Sequence, residues 1–321
     1  MGTDTRYLIV GGGLAAARAV EGIREVDETG PVVVLTAEAH LPYERPPLSK
    51  GVLLESDGPE VAIPHDLAWY DEHNVEVRTS SPVVGIDLDA RTVRLESNHE
   101  IGWDRLLLAT GSSVRTLQVP GAELPGVHYL RTMDDSLGLL ERIKEGGDLV
   151  VIGAGWIGLE VTAAARGHGC RVTLIDPQAT PLLAVMGEQV GGWFAELHRA
   201  HGVDLRLGTG VARIEGETAA TGVVTDSGET IPARTVVVGV GIRPNTALAE
   251  AAGAQVDNGV VTDESLRTTL PEVWAAGDVA NWKSTLFGTH LRVEHWANAN
   301  DGGYAAGRSM AGAEVTYDPV P

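Results

Sequence analysis

Residues 7–16 read Tyr-Leu-Ile-Val-Gly-Gly-Gly-Leu-Ala-Ala, and this stretch decides the fold. Tyr7 to Val10 is a short apolar run of buried-strand type. It runs straight into Gly11, Gly12 and Gly13, and Leu14, Ala15 and Ala16 complete a Gly-x-Gly-x-x-Ala pattern. The alanine-rich sequence up to Val26 reads as a helix. Val32 to Leu35, after Pro31, reads as a second buried strand, with Glu38 just beyond it. Strand, glycine turn, helix, strand and acid stand in the order that a dinucleotide cradle requires. The glycines let backbone N–H groups approach a pyrophosphate, and the helix start supplies positive potential. The acid for ribose hydroxyls usually ends the second strand, where Thr36 and Ala37 stand, so Glu38 is the candidate. Taken alone, the pattern also suits a glycine turn in an unrelated α/β protein.

A second unit removes that ambiguity. Leu149 to Ile152 is strand-like and leads into Gly153-Ala154-Gly155-Trp156-Ile157-Gly158, the full Gly-x-Gly-x-x-Gly form. A helical stretch runs to about His168, Arg171 to Ile175 is the next strand, and Asp176 closes it. An acid at that place favours NAD over NADP, and Pro177 and Gln178 offer no cation for a 2′-phosphate. Two dinucleotides on one chain imply hydride passing from a nicotinamide to a flavin.

Composition narrows the chemistry. The 321 residues suggest about two domains. Hydrophobic residues make up 43% and charged residues 21%, an ordinary globular balance. The single cysteine, Cys170, cannot supply a disulfide scaffold, a four-cysteine metal site or a two-cysteine redox centre. A formal net charge of −20 disfavours nucleic-acid binding. No apolar run has the length of a membrane helix, and no signal-peptide pattern opens the chain, so no membrane association and a cytoplasmic location are expected. The ten histidines show no metal-ligand spacing, and no metal is expected.

Three further segments read as strands ending in small-residue turns: Leu106-Leu107-Leu108-Ala109-Thr110-Gly111, Val236-Val237-Val238-Gly239-Val240-Gly241 and Val273-Trp274-Ala275-Ala276-Gly277-Asp278. With Pro42-Tyr43-Glu44-Arg45-Pro46-Pro47-Leu48-Ser49-Lys50, Val127-His128-Tyr129-Leu130-Arg131-Thr132, Gly241-Ile242-Arg243-Pro244-Asn245-Thr246 and Arg292-Val293-Glu294-His295-Trp296-Ala297-Asn298, they carry a resemblance over essentially the whole chain. The chain resembles the FAD-dependent, NADH-using ferredoxin reductases that serve bacterial Rieske oxygenases and haem monooxygenases.

That resemblance implies an α/β fold of the glutathione-reductase-like flavoprotein type, with two Rossmann-like dinucleotide-binding domains. The FAD domain is expected to be discontinuous, residues 1–112 and 244–321, with a NAD domain of residues 113–243 inserted in it. Family members continue past the position of Pro321, so a C-terminal interface domain is expected to be absent. For FAD, the resemblance points to Gly11, Gly13, Leu14, Ala15 and Glu38 at phosphate and ribose. It points to Arg45 and Arg131 near the phosphates and to Val83 at the adenine. Ala109, Thr110 and Gly111 would line the strand end. Gly277 and Asp278 would hold the ribityl chain, and Glu294, His295 and Trp296 the flavin edge. For NADH it implies Gly153, Gly155, Trp156, Ile157, Gly158, Asp176 and Gly241. Lys50 and Glu160 would form a pair beside the flavin and nicotinamide as the catalytic residues. Residues 209–233 read as a small antiparallel addition.

The expected activity is hydride transfer from NADH to FAD, then single-electron transfer to an iron–sulfur ferredoxin, and through it to an oxygenase. A rubredoxin reductase, an NADH oxidase, and a flavin- and NAD-binding redox sensor are the alternatives.

Overall fold

The computed structural model describes residues 5–320, which divide into two compact units. The first comprises 5–44, Ala62–Ser113 and 244–320; the second comprises Arg45–Val61 and Val114–Arg243. Segment 45–61 is the departure from the expected 1–112 stretch. The reason is physical: Leu53 is fully buried in the core of the second unit, among Leu139, Leu140, Leu159 and Val161.

In the first unit, strand Tyr7–Val10 lies at the centre of a five-stranded parallel sheet. Val32–Leu35 and Val75–Arg78 extend it on one side, and Arg105–Leu108 and Val273–Ala275 on the other. Alternate residues face opposite cores: Tyr7 and Ile9 join one apolar cluster, Leu8 and Val10 the other. This two-sided burial is why the strands read as unbroken apolar runs. Helix Leu14–Val26 covers one face together with helix Trp296–Ala311. The two approach closely because glycines stand at the crossing. A Cβ on Gly303 would fall 2.4 Å from the Ala15 carbonyl oxygen, and one on Gly307 would fall 2.1 Å from that of Ala19. An antiparallel meander of Val83–Asp87, Thr92–Leu95 and Glu100–Gly102 completes the unit.

The second unit repeats the plan. Asp148–Ile152 is the central strand, flanked by Arg171–Asp176 and Asp204–Leu207 on one side and Thr235–Val238 and Val127–Tyr129 on the other, all parallel. Helix Trp156–Gly167 follows the central strand. The meander is again present, as Val211–Glu215, Gly222–Thr225 and Thr230–Pro232, within the expected 209–233 addition.

Each unit is clasped where the chain leaves and returns. In the first, Asn245 Nδ2 donates to the Thr110 carbonyl at 2.8 Å, and Ser113 Oγ donates to Asn245 Oδ1 at 2.7 Å. In the second, Arg115 donates from its backbone N–H to Gly241 and from Nε to Ile242. Among the described residues, no helix is long and apolar enough to cross a membrane.

Candidate functional site

Gly11 has φ +143°, and a Cβ there would lie 2.0 Å from the Ala109 carbonyl oxygen, so only glycine fits. Ala109 itself donates its N–H to the Val10 carbonyl at 2.8 Å. Gly13 caps helix Leu14–Val26 without a side-chain hydrogen bond, and the first turn holds no acid. A Cβ on Gly13 would meet nothing within 4 Å. The helix start at Gly13 thus has room beside its cap for a group that accepts from helix N–H donors. Gly277, at φ +76°, seats its turn on the start of the same helix, where a Cβ would come within 3.0 Å of the Ala15 Cβ. Asp278 follows at half-buried exposure, and its carbonyl accepts from Arg292, which also pairs with Glu294 at 2.6 Å.

The turn after Val32–Leu35 explains the displaced acid. Thr36 is buried, and a Cβ on Gly12 would strike its Oγ1 at 2.2 Å. The Glu38 N–H donates to Thr36 Oγ1 at 3.2 Å, which turns the chain and brings Glu38 to the mouth of the loop. The fully buried Tyr43 donates its phenol to Glu38 Oε2, and its backbone N–H to the Gly12 carbonyl. Ser80 and Ser81, just before Val83 in the chain, donate backbone N–H groups to the Glu38 and Thr36 carbonyls. Trp296 is 43% exposed and donates its indole N–H to Glu44 Oε2 at 2.9 Å. His295 accepts the Ala297 N–H on Nδ1 and so caps helix Trp296–Ala311, a structural use of the side chain.

The second unit holds the parallel loop. Gly153 has φ +105°, and its Cβ would fall 2.3 Å from the Gly239 carbonyl oxygen; that of Gly158 would fall 1.9 Å from the Gly153 oxygen. Gly155 caps helix Trp156–Gly167 with no side-chain hydrogen bond and nothing within 4 Å of a Cβ. Asp176 accepts the Ala154 N–H on Oδ2 at 2.6 Å and the Gln178 N–H on Oδ1 at 2.7 Å. Its carboxylate is thereby fixed against the glycine loop. Trp156 and Ile157 are 45% and 41% exposed, and Trp156 meets Phe194 edge-on at 5.9 Å. Both loops fit a dinucleotide pyrophosphate: each has a glycine N-cap with no capping side chain, room beside that glycine, and no acid in the first turn.

Lys50 and Glu160 come together in this unit. Lys50 Nζ lies 3.1 Å from both Glu160 oxygens, and Ser49 Oγ donates to Oε2 at 2.5 Å. Arg45 Nη1 donates to the Arg131 carbonyl at 2.6 Å, while the Arg131 N–H donates to Asp135. Three residues that join the candidate sites carry no separate sequence expectation: Thr36 and Tyr43 in the first unit and Ser49 in the second. Tyr43 and Ser49 lie within the quoted 42–50 stretch, and their signal was their place beside named site residues. Among the described residues, no cluster of His, Cys, Asp or Glu could hold a metal ion.

Comparison with known proteins shows the family and the fold. The family model described as "Pyridine nucleotide-disulphide oxidoreductase" matches residues 5–303. The chain is 40% identical to the anthranilate 1,2-dioxygenase system ferredoxin–NAD(+) reductase component of Burkholderia cepacia, covering 98% of this chain and 78% of that protein. It is 35% identical to the rubredoxin–NAD(+) reductase of Pseudomonas putida, over 98% and 81% of the two chains. The putidaredoxin reductase in a covalent complex with putidaredoxin superposes with a TM-score of 0.93 at 34% identity, over 99% of this chain and 78% of that one. The chain is a member of the pyridine nucleotide-disulphide oxidoreductase family, with the flavoprotein fold of its ferredoxin reductases.

Proposed function

We propose that this protein is an FAD-dependent ferredoxin–NAD(+) reductase that draws on NADH and supplies an iron–sulfur ferredoxin serving an oxygenase. The observation that carries this reading is the duplication of the open glycine cradle, with a strand-end acid closing only the second. Bound FAD would supply hydride acceptance from NADH and the release of electrons one at a time.

The protein's own residues have definable tasks. In the first unit, the glycine turn and helix start at Gly11–Ala15 would hold the FAD pyrophosphate, and Glu38, steadied by Tyr43, would accept ribose hydroxyls. Asp278 and Trp296 would position the remainder of the cofactor. In the second, the Gly155 helix start would hold the NADH pyrophosphate, and Asp176 would accept a ribose hydroxyl while repelling a 2′-phosphate. Lys50 would place a positive charge beside the reacting rings, and Glu160, paired with it at 3.1 Å, would orient it. Cys170 is buried, its thiol donates to the Ile143 carbonyl, and burial pushes its pKa up. A thiol so placed supports an external electron acceptor rather than a cysteine-based one.

A second reading keeps the same chemistry with rubredoxin as carrier, and similarity to a rubredoxin reductase favours considering it. The test is NADH-dependent cytochrome reduction by the FAD-loaded protein with a [2Fe–2S] ferredoxin or with rubredoxin. Coupling through the ferredoxin is the expected result. Coupling through rubredoxin alone selects the second reading, and coupling through neither contradicts both.

A further inference from the structure

We propose that Ser49 is a positioning residue for the reductive half-reaction: its hydroxyl fixes the Glu160 carboxylate and so holds the Lys50 ammonium in place. The inference rests on the reading of Lys50 and Glu160 given above and deepens it by one residue. Ser49 is 2% exposed and ends the short helix Pro46–Ser49; Lys50 begins the next turn, with φ −118° and ψ −104°, outside the helical region. Side chains of consecutive helical residues diverge by about 100°. The break at Lys50 instead lets two neighbours converge on one carboxylate, Ser49 on Oε2 at 2.5 Å and Lys50 on both oxygens at 3.1 Å.

The surroundings make Ser49 the fixed member of this trio. The preceding carbonyl, that of Leu48, accepts from the fully buried Ser136 hydroxyl at 2.6 Å. The Lys50 carbonyl accepts the Leu54 N–H at 2.9 Å, and Leu53 is buried in the unit's core. Lys50 itself is 54% exposed at the side chain and Glu160 24%. An exposed lysine–carboxylate pair has little rigidity of its own, because two flexible chains must be ordered in a screened medium. A buried hydroxyl on a fixed backbone removes that freedom from the carboxylate, and the carboxylate passes it on to the ammonium.

The test compares Ser49→Ala, Ser49→Thr, Glu160→Gln and the Ser49→Ala/Glu160→Gln double variant, each loaded with FAD and mixed anaerobically with NADH. At saturating NADH, Ser49→Ala is expected to slow flavin bleaching about tenfold, the equivalent of one hydrogen bond to a charged group. The half-saturating NADH concentration is expected to stay unchanged. Ser49→Thr, which keeps the hydroxyl, is expected to recover most of the rate. In the double variant the loss is expected to equal that of Glu160→Gln alone, since Ser49 acts through that carboxylate. A wild-type rate in Ser49→Ala, with Glu160→Gln slow, overturns the role of Ser49 alone. A Ser49→Ala loss that multiplies onto the Glu160→Gln loss also overturns it. A wild-type rate in Glu160→Gln removes the role of that pair, and the role of Ser49 with it.

Discussion

Thr36 and Asp176 occupy the same place in the two units. Each follows the residue that pairs with the last residue of its central strand, Leu35 with Val10 and Ile175 with Ile152. Each accepts, on its side chain, the N–H of the residue two positions on, Glu38 and Gln178 respectively. One turn geometry thus carries a neutral hydroxyl followed by an acid in the first unit, and an acid followed by a neutral amide in the second.

Asp176→Thr therefore gives the second unit the turn of the first. We expect the fold to persist and NADH to lose about 1–3 kcal/mol of binding, roughly 5- to 150-fold in kcat/KM. NADPH is expected to change far less, because the repulsive carboxylate has gone. Steady-state kcat/KM for both cofactors checks this, and unchanged NADH preference would remove Asp176 from the site.

Tyr43→Phe deletes the phenol that steadies Glu38 and leaves the buried ring in place. Losing a hydrogen bond to a charged group costs about 1.5–3 kcal/mol, so FAD should dissociate roughly 10- to 150-fold more readily. Flavin fluorescence released on dilution measures it. Wild-type retention would show that the Tyr43–Glu38 contact does not serve the cofactor.

Two glycine substitutions are expected to act in opposite directions. A Cβ at Gly307 would fall 2.1 Å from the Ala19 carbonyl oxygen, so Gly307→Ala must separate two helices and should destabilise by about 1–3 kcal/mol. Gly138 lies exposed in helix Met133–Lys144, with nothing within 4 Å of a Cβ. Gly138→Ala should stabilise by about 0.5–1 kcal/mol. Thermal melts of the FAD-loaded variants check both signs.

Acid sensitivity should trace in part to Asp27. Burial pushes its carboxyl pKa up, but the Gly30 N–H, the Tyr7 hydroxyl, the Thr29 N–H and the Arg6 guanidinium together bring it below the ordinary value. A depressed carboxyl pKa contributes stability above the unfolded value, near 3.8, and loses it as pH falls toward the folded one. Asp27→Asn should lower stability at neutral pH and flatten the decline below about pH 4. Urea midpoints from pH 7 to pH 3 measure this; an equally steep decline in the variant would exclude Asp27 as a source.

The two glycine loops and their parallel strands were legible because both depend on local pattern: apolar runs buried on two faces, then glycines where a Cβ would strike a carbonyl. The acid of the first unit was legible only as a displaced one, since the Thr36 turn that carries Glu38 forward is a hydrogen bond that composition does not reveal. The meander at Val83–Gly102 went unread because its strands are three to five residues long and only partly buried. Segment 45–61 read as part of the first domain by continuity of the chain. Its attachment to the second unit rests on tertiary contacts, among them the buried Leu53 and the Ser136 hydrogen bond to Leu48.

The central claim, that hydride from NADH reaches a flavin held by this chain, is tested most directly by anaerobic stopped-flow mixing of the FAD-loaded protein with NADH and with NADPH. Rapid loss of the flavin's visible absorption with NADH, and much slower loss with NADPH, is the predicted result. Stable absorption in the presence of NADH, with FAD still bound, would contradict it.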